Sequence, residues 1–164
     1  MYMFNVLAMF VEGNVRRRLV GGWRMIDWKV FRGDATLDPP LGPVSTCGGL
    51  LIYSADGAMS ATLSVEDRPG FADDSLDGGT PREKARAYET IICYSGDYDV
   101  DENSHVVTHH VRYATFPNFV GRDLDRVCVF DGDTLKLDTP PMMIGGEELA
   151  SYILWQRVKP VTIR

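Results

Sequence analysis

Two adjacent histidines, His109 and His110, lie within a β-branched run from His105 to Thr115. Histidine is the side chain whose proton affinity suits proton transfer near neutral pH, so acid–base chemistry is the first reading of this pair. Upstream, Asp27 and Lys29 are two residues apart, the spacing that puts two side chains on one face of a strand. An aspartate there can orient a histidine or share its work, and a neighbouring ammonium would hold the carboxylate charged. The bland alternative is a structural ion pair. Tyrosines form a third group: Tyr53, Tyr94, Tyr98 and Tyr113. Their hydroxyls can donate to negative charge that develops on a substrate.

Most of the chain reads as short strands separated by turns. Trp23 to Phe31 alternates, Gly49 to Ser54 is apolar, and Ala55-Asp56-Gly57 is a tight hairpin signal before a returning strand from Ala58 to Val65. Ile91 to Val100, His105 to Thr115, Leu124 to Phe130, Thr134 to Leu137 and Ala150 to Val158 continue the series, with a further hairpin at Asp131-Gly132-Asp133. Thr80-Pro81-Arg82-Glu83 has the capping-box pattern and predicts a short helix over about Pro81 to Ile91. Asn14 to Leu19 is a second candidate helix. About eight strands with one or two small helices predict an all-β, eight-stranded antiparallel barrel.

The chain has 164 residues and a net charge of −6, which favours one domain and disfavours a nucleic-acid partner. The apolar stretch Met1 to Val11 is too short to span a membrane, and its positive charges follow it rather than precede it. It reads as a helical or irregular arm over residues 1–18, packed on the domain over 19–164 or on a partner chain. That second option makes a homodimer one reading. Three cysteines without a CxxC pair read as reduced thiols of a cytoplasmic protein.

No nucleophile elbow, Walker loop or dinucleotide fingerprint is present. Metal binding fails on spacing. His105 and His109 would stand about 13 Å apart along a strand, too far for one ion. Asp97, Asp99, Asp101 and Asn103 begin like a calcium loop but lack its glycine and its final glutamate. No metal and no cofactor is expected.

Gly21-Gly22-Trp23 at the start of the first strand resembles the lipocalin signature. Leu51 to Ala61, Val107 to Val111, Phe116 to Gly121 and Leu154 to Val158 extend the likeness, and the chain resembles the lipocalin-like domain family of bacteria and fungi. The resemblance implies that Trp23 plugs the closed end of the barrel and that Arg157 covers it. It also implies an internal cavity. Some fungal members act on polyketide or terpenoid intermediates.

Alternation then assigns the cavity wall. With Trp23 inward, Met25, Asp27 and Lys29 follow; Tyr94 and Tyr98 share an apolar face; His109 and Tyr113 face in while His110 faces out. Tyr53, Met59 and Phe116 complete the expected ligand contacts. The expected partner is a small hydrophobic molecule. The first reading is a cofactor-independent enzyme of natural-product biosynthesis, catalysing cyclisation, lactonisation, or a related isomerisation or hydrolysis. In it His109 and Asp27 move protons, and Lys29 and His110 are further catalytic candidates. The alternative is a non-catalytic carrier or sensor.

Overall fold

The computed structural model describes residues 15–159. A short helix α1 (Val15–Leu19) leads into β1 (Gly21–Arg32), β2 (Ala35–Leu37), β3 (Cys47–Tyr53) and β4 (Ala58–Val65). Helix α2 (Pro81–Glu89) follows, then β5 (Ile91–Asp101), β6 (Val106–Ala114), β7 (Asp123–Asp131), β8 (Thr134–Ile144) and β9 (Glu147–Arg157). From β3 to β9 each strand pairs antiparallel with the next, and β1 pairs with both β3 and β9. The ring therefore closes with eight strands, and closure leaves the ring itself without a free edge. Strand β2 is an extra strand on the far end of β1. The expected eight-stranded antiparallel barrel is the observed fold. Most of the arm expected over residues 1–18 lies outside the described residues; its described end, from Val15, is the helix α1.

Helix α2 forms as its capping box predicts. The Thr80 hydroxyl accepts from the Glu83 backbone N–H at 3.3 Å, and the Glu83 carboxylate accepts from the Thr80 N–H at 2.7 Å. The helix stops at Glu89, two residues before the expected end, because Ile91 enters β5.

One end of the barrel is sealed. Trp23 is fully buried, and its indole N–H donates to the Leu19 carbonyl at 2.8 Å. The Arg157 guanidinium lies 4.1 Å from the Trp23 ring centroid and donates to the carbonyls of Val20 and Arg18. Such a cation–π contact is worth about 1–2 kcal/mol when partly desolvated. Gly21 makes room for it: its φ is +125°, and a Cβ there would stand 3.2 Å from an Arg157 nitrogen. Arg18 covers Phe130 beside the plug, with its guanidinium 4.2 Å from the ring centroid. Glu102 accepts the first two N–H groups of α1, from Val15 and Arg16, which fixes the helix over this end. These are the roles the family resemblance assigned to Trp23 and Arg157.

Three bulges decide which side chains reach the interior. In β1, Met25 pairs with Trp155 but Asp27 pairs with Leu154, so Ile26 is an extra residue and points to solvent. Beyond it the alternation is inverted. Trp28 and Val30 are buried, whereas Asp27 and Lys29 turn to the outer face. In β6, Gly96 pairs with Val111 and Ser95 with Tyr113, which leaves Arg112 extra. Tyr113 is consequently 73% exposed rather than inward. Gly96 is required here, since a Cβ would lie 2.0 Å from the His110 carbonyl oxygen. The third bulge, between Thr139 and Met142 in β8, contains Pro140 and Pro141, which cannot donate to a ladder.

Candidate ligand cavity

The half of the barrel next to the seal is filled. Trp23, Leu135, Val107, Met59, Tyr98 and Cys128 pack there with almost no exposure. The other half is hollow. A cavity of about 340 Å³ lies between the strands and opens beside Pro40, Phe116 and the β8–β9 turn. That volume is within the range of small-molecule sites, roughly 300–1,000 Å³. Its wall is mainly apolar: Trp28, Leu51, Leu63, Tyr94, Phe119, Leu137, Met142, Ile153 and Trp155 among others.

His109 is the most deeply buried titratable group among the described residues of this wall, at 1% exposure. Its Nε2 is 2.6 Å from the Tyr53 hydroxyl, and its Nδ1 is 3.2 Å from the Tyr94 hydroxyl. Burial holds the imidazole well below its ordinary proton affinity, and the charges of Arg126 and His110 add to that. His109 is therefore a neutral ring at pH 7, able to donate through one nitrogen and accept through the other. Burial likewise raises the Tyr53 hydroxyl, so it stays protonated. A wholly buried O–H needs an acceptor, and Nε2 is the acceptor in reach. With Nε2 thus occupied, Nδ1 carries the ring proton and donates to Tyr94.

Aromatic rings extend this network from the mouth inward. Phe116 contacts Phe119 edge-on at 5.1 Å, Phe119 contacts Tyr94 at 6.0 Å, and Tyr94 and Tyr53 flank His109 at 5.8 and 5.6 Å. Tyr53 then meets Tyr98 at 4.9 Å, and the Tyr98 hydroxyl donates to the Ser54 carbonyl.

The sequence-derived candidates divide accordingly. His109, Tyr94 and Phe116 line the cavity. Tyr53 supports His109 from beneath. Tyr98 and Met59 belong to the packed half, and Met25 packs against the same core; none of the three is part of the cavity wall. Asp27 and Lys29 are a correction: they form an ion pair with each other at 3.5 Å on the outside of the barrel. Tyr113 is a second correction, turned out by the Arg112 bulge. His110 faces out as expected, where Asp123 and Asp99 accept from its two ring nitrogens at 2.6 and 3.1 Å. Those carboxylates raise its proton affinity, the Asp123 hydrogen bond most. The acidic cluster resembling a calcium loop is engaged with neighbours: Asp97 pairs with Arg112, and Asp101 accepts the N–H groups of Asn103 and Ser104.

Sequence reasoning missed Arg126, Trp28 and Trp155, all on the cavity wall. Arg126 was legible. In β7, Leu124, Arg126, Cys128 and Phe130 alternate with exposed residues, so the arginine shares the inward face. Trp28 was hidden by the bulge. Among the thiols, Cys128 is pushed up to about 12 by burial, an inert side chain.

Comparison with known proteins agrees with this geometry. The sequence matches the lipocalin-like domain over residues 20–158. It is also 30% identical over 111 residues to the 4'-hydroxy-3'-methoxypropiophenone carrier protein of Aspergillus oryzae, across 63% of this chain and 100% of that protein. A closed eight-stranded ring, a tryptophan plug under an arginine, and a family match spanning every barrel strand lead to one assignment: the chain belongs to the lipocalin-like domain family.

Proposed function

We propose that the barrel binds and carries a small, hydrophobic, aromatic intermediate of natural-product biosynthesis. The observation that carries this reading is the 340 Å³ hollow above a sealed end, walled by Trp28, Trp155, Tyr94 and Phe119. Aromatic walls suit a flat conjugated ligand. The likeness to a carrier of an aryl ketone supports the same ligand class. Placing Asp27 and Lys29 outside removes two of the groups that favoured catalysis over carriage. The free cysteines fit a reducing, cytoplasmic setting.

One observation favours a second reading, a cofactor-independent cyclase, isomerase or hydrolase. The Tyr53–His109–Tyr94 chain is a route for moving one proton to or from the cavity wall. In that reading confinement orients the substrate, and His109 acts through Tyr94.

Titration with 4'-hydroxy-3'-methoxypropiophenone, followed by tryptophan fluorescence and by analysis of the recovered compound, separates the readings. Saturable quenching with the ligand recovered unchanged supports the carrier. Conversion that His109→Phe abolishes supports the enzyme. A lack of saturable binding by this ketone and by related aryl ketones counts against both.

A further inference from the structure

The polar groups on the cavity wall are biased towards donors. Trp28 and Trp155 are 6% and 2% exposed, and the indole N–H of each is buried without a hydrogen-bond partner. Both rings line the cavity. A buried N–H left without an acceptor costs about 1–3 kcal/mol, so two on one wall are an unusual expense for a structure to carry. The third donor is Arg126. Its guanidinium donates to the Asp125 carbonyl at 2.7 Å, and among the described residues no carboxylate lies within ion-pair distance of it. The fourth is the Tyr94 hydroxyl. Because it accepts from His109 Nδ1, its own proton is left for the cavity. Of the other polar side chains of the wall, His109 is engaged by Tyr53 and Tyr94, and Thr139 and Ser151 are hydroxyls, which give or take. Among the described residues, no aspartate or glutamate lines the space.

We propose that this cavity is built for a ligand carrying an anionic oxygen, a carboxylate, phenolate or enolate, with Arg126 as its counter-ion and the Trp28, Trp155 and Tyr94 donors as its hydrogen-bond partners. The inference rests on the hydrophobic-ligand reading above and adds the chemistry of the ligand's polar end. Arg126 is half-buried on an otherwise apolar wall, and a bound oxyanion would give its guanidinium a charge-assisted partner there. The indole nitrogens of Trp28 and Trp155 are fully buried, so either ring has to shift to present its N–H to such an oxygen. A hydrocarbon or an amine would leave all four donors unanswered, and an amine would add like-charge repulsion from Arg126.

Two probes of matched shape test this: 2-naphthoate and 2-ethylnaphthalene, each titrated by calorimetry into the full-length protein. Naphthoate is expected to bind at least about tenfold tighter, the scale of one charge-assisted hydrogen bond. Arg126→Met is expected to erase that advantage and leave the affinity for ethylnaphthalene within about twofold, which also certifies that the cavity has survived. Arg126→Lys, which keeps the charge, retains part of the preference. Equal or tighter binding of ethylnaphthalene by the native protein overturns the proposal, and so does a naphthoate preference that persists in Arg126→Met. If neither probe binds, the hydrophobic-ligand reading falls, and this inference falls with it. Equal binding of both removes the anion alone.

Discussion

The Tyr53 hydroxyl and His109 Nε2 stand 2.6 Å apart in the interior, joining β3 to β6 across the barrel. Tyr53→Phe keeps the ring packing with Tyr98 and removes the hydroxyl, leaving Nε2 without a donor. The expected loss of stability is about 1–3 kcal/mol, the cost of an unsatisfied buried polar atom. Urea denaturation with an unchanged slope tests it. A loss below about 0.5 kcal/mol counts against a buried hydrogen bond between the two side chains.

The adjacent histidines respond to pH with opposite signs. His109 has a folded-state proton affinity below its unfolded value of about 6.5, so unfolding takes up a proton as pH falls beneath that value. Its contribution is intact above about pH 6.5 and is lost on acidification, with a limiting slope of about 1.4 kcal/mol per pH unit. His110 has a raised affinity, so its contribution is intact below about pH 6.5 and fades as pH rises through the folded value. Stability profiles between pH 5 and 8 are therefore expected to flatten below about pH 6.5 in His109→Phe, and to lose a decline above about pH 6.5 in His110→Ala. The same direction in both variants would contradict the placement of one of them.

Asp27→Asn and Lys29→Ala are expected to leave ligand affinity unchanged, because both side chains lie outside the ring. Their ion pair is partly exposed, and pairs of that kind contribute less than about 1 kcal/mol. Calorimetric titration with 2-naphthoate is the check. A change beyond about threefold in either variant argues for an inward orientation.

Gly96→Ala is expected to destabilise the protein at the upper end of the about 1–3 kcal/mol typical of overpacking, or more. The clashing atom is a backbone oxygen, that of His110, so no rotamer change relieves it. Thermal unfolding measures the effect. Wild-type stability would mean that the β5–β6 register is not the one described.

The ring of strands was readable because turn residues punctuate it. Asp56-Gly57 and Gly132-Asp133 place two hairpins, and the capping box at Thr80 places α2. Gly145-Gly146 marks a further hairpin, which the alternation did not reach because Pro140 and Pro141 interrupt β8 before it. The site was less readable. Alternation identifies faces only while the register holds, and the single extra residues Ile26 and Arg112 invert everything beyond them. His109 precedes the Arg112 bulge and was assigned correctly; Tyr113 follows it and was not. Trp28 was lost in the same way. The unpartnered indole nitrogens are a property of three-dimensional packing and left no mark on the residue order.

The clamp of Arg157 over Trp23 bears on exchange as well as on folding. With that floor fastened by a guanidinium and two carbonyls, the doorway formed by the described residues lies at the other end, past Phe116 and Met143. Arrival and departure then share a threshold, and bulk added at those two positions should slow both rates together while leaving their ratio nearly untouched.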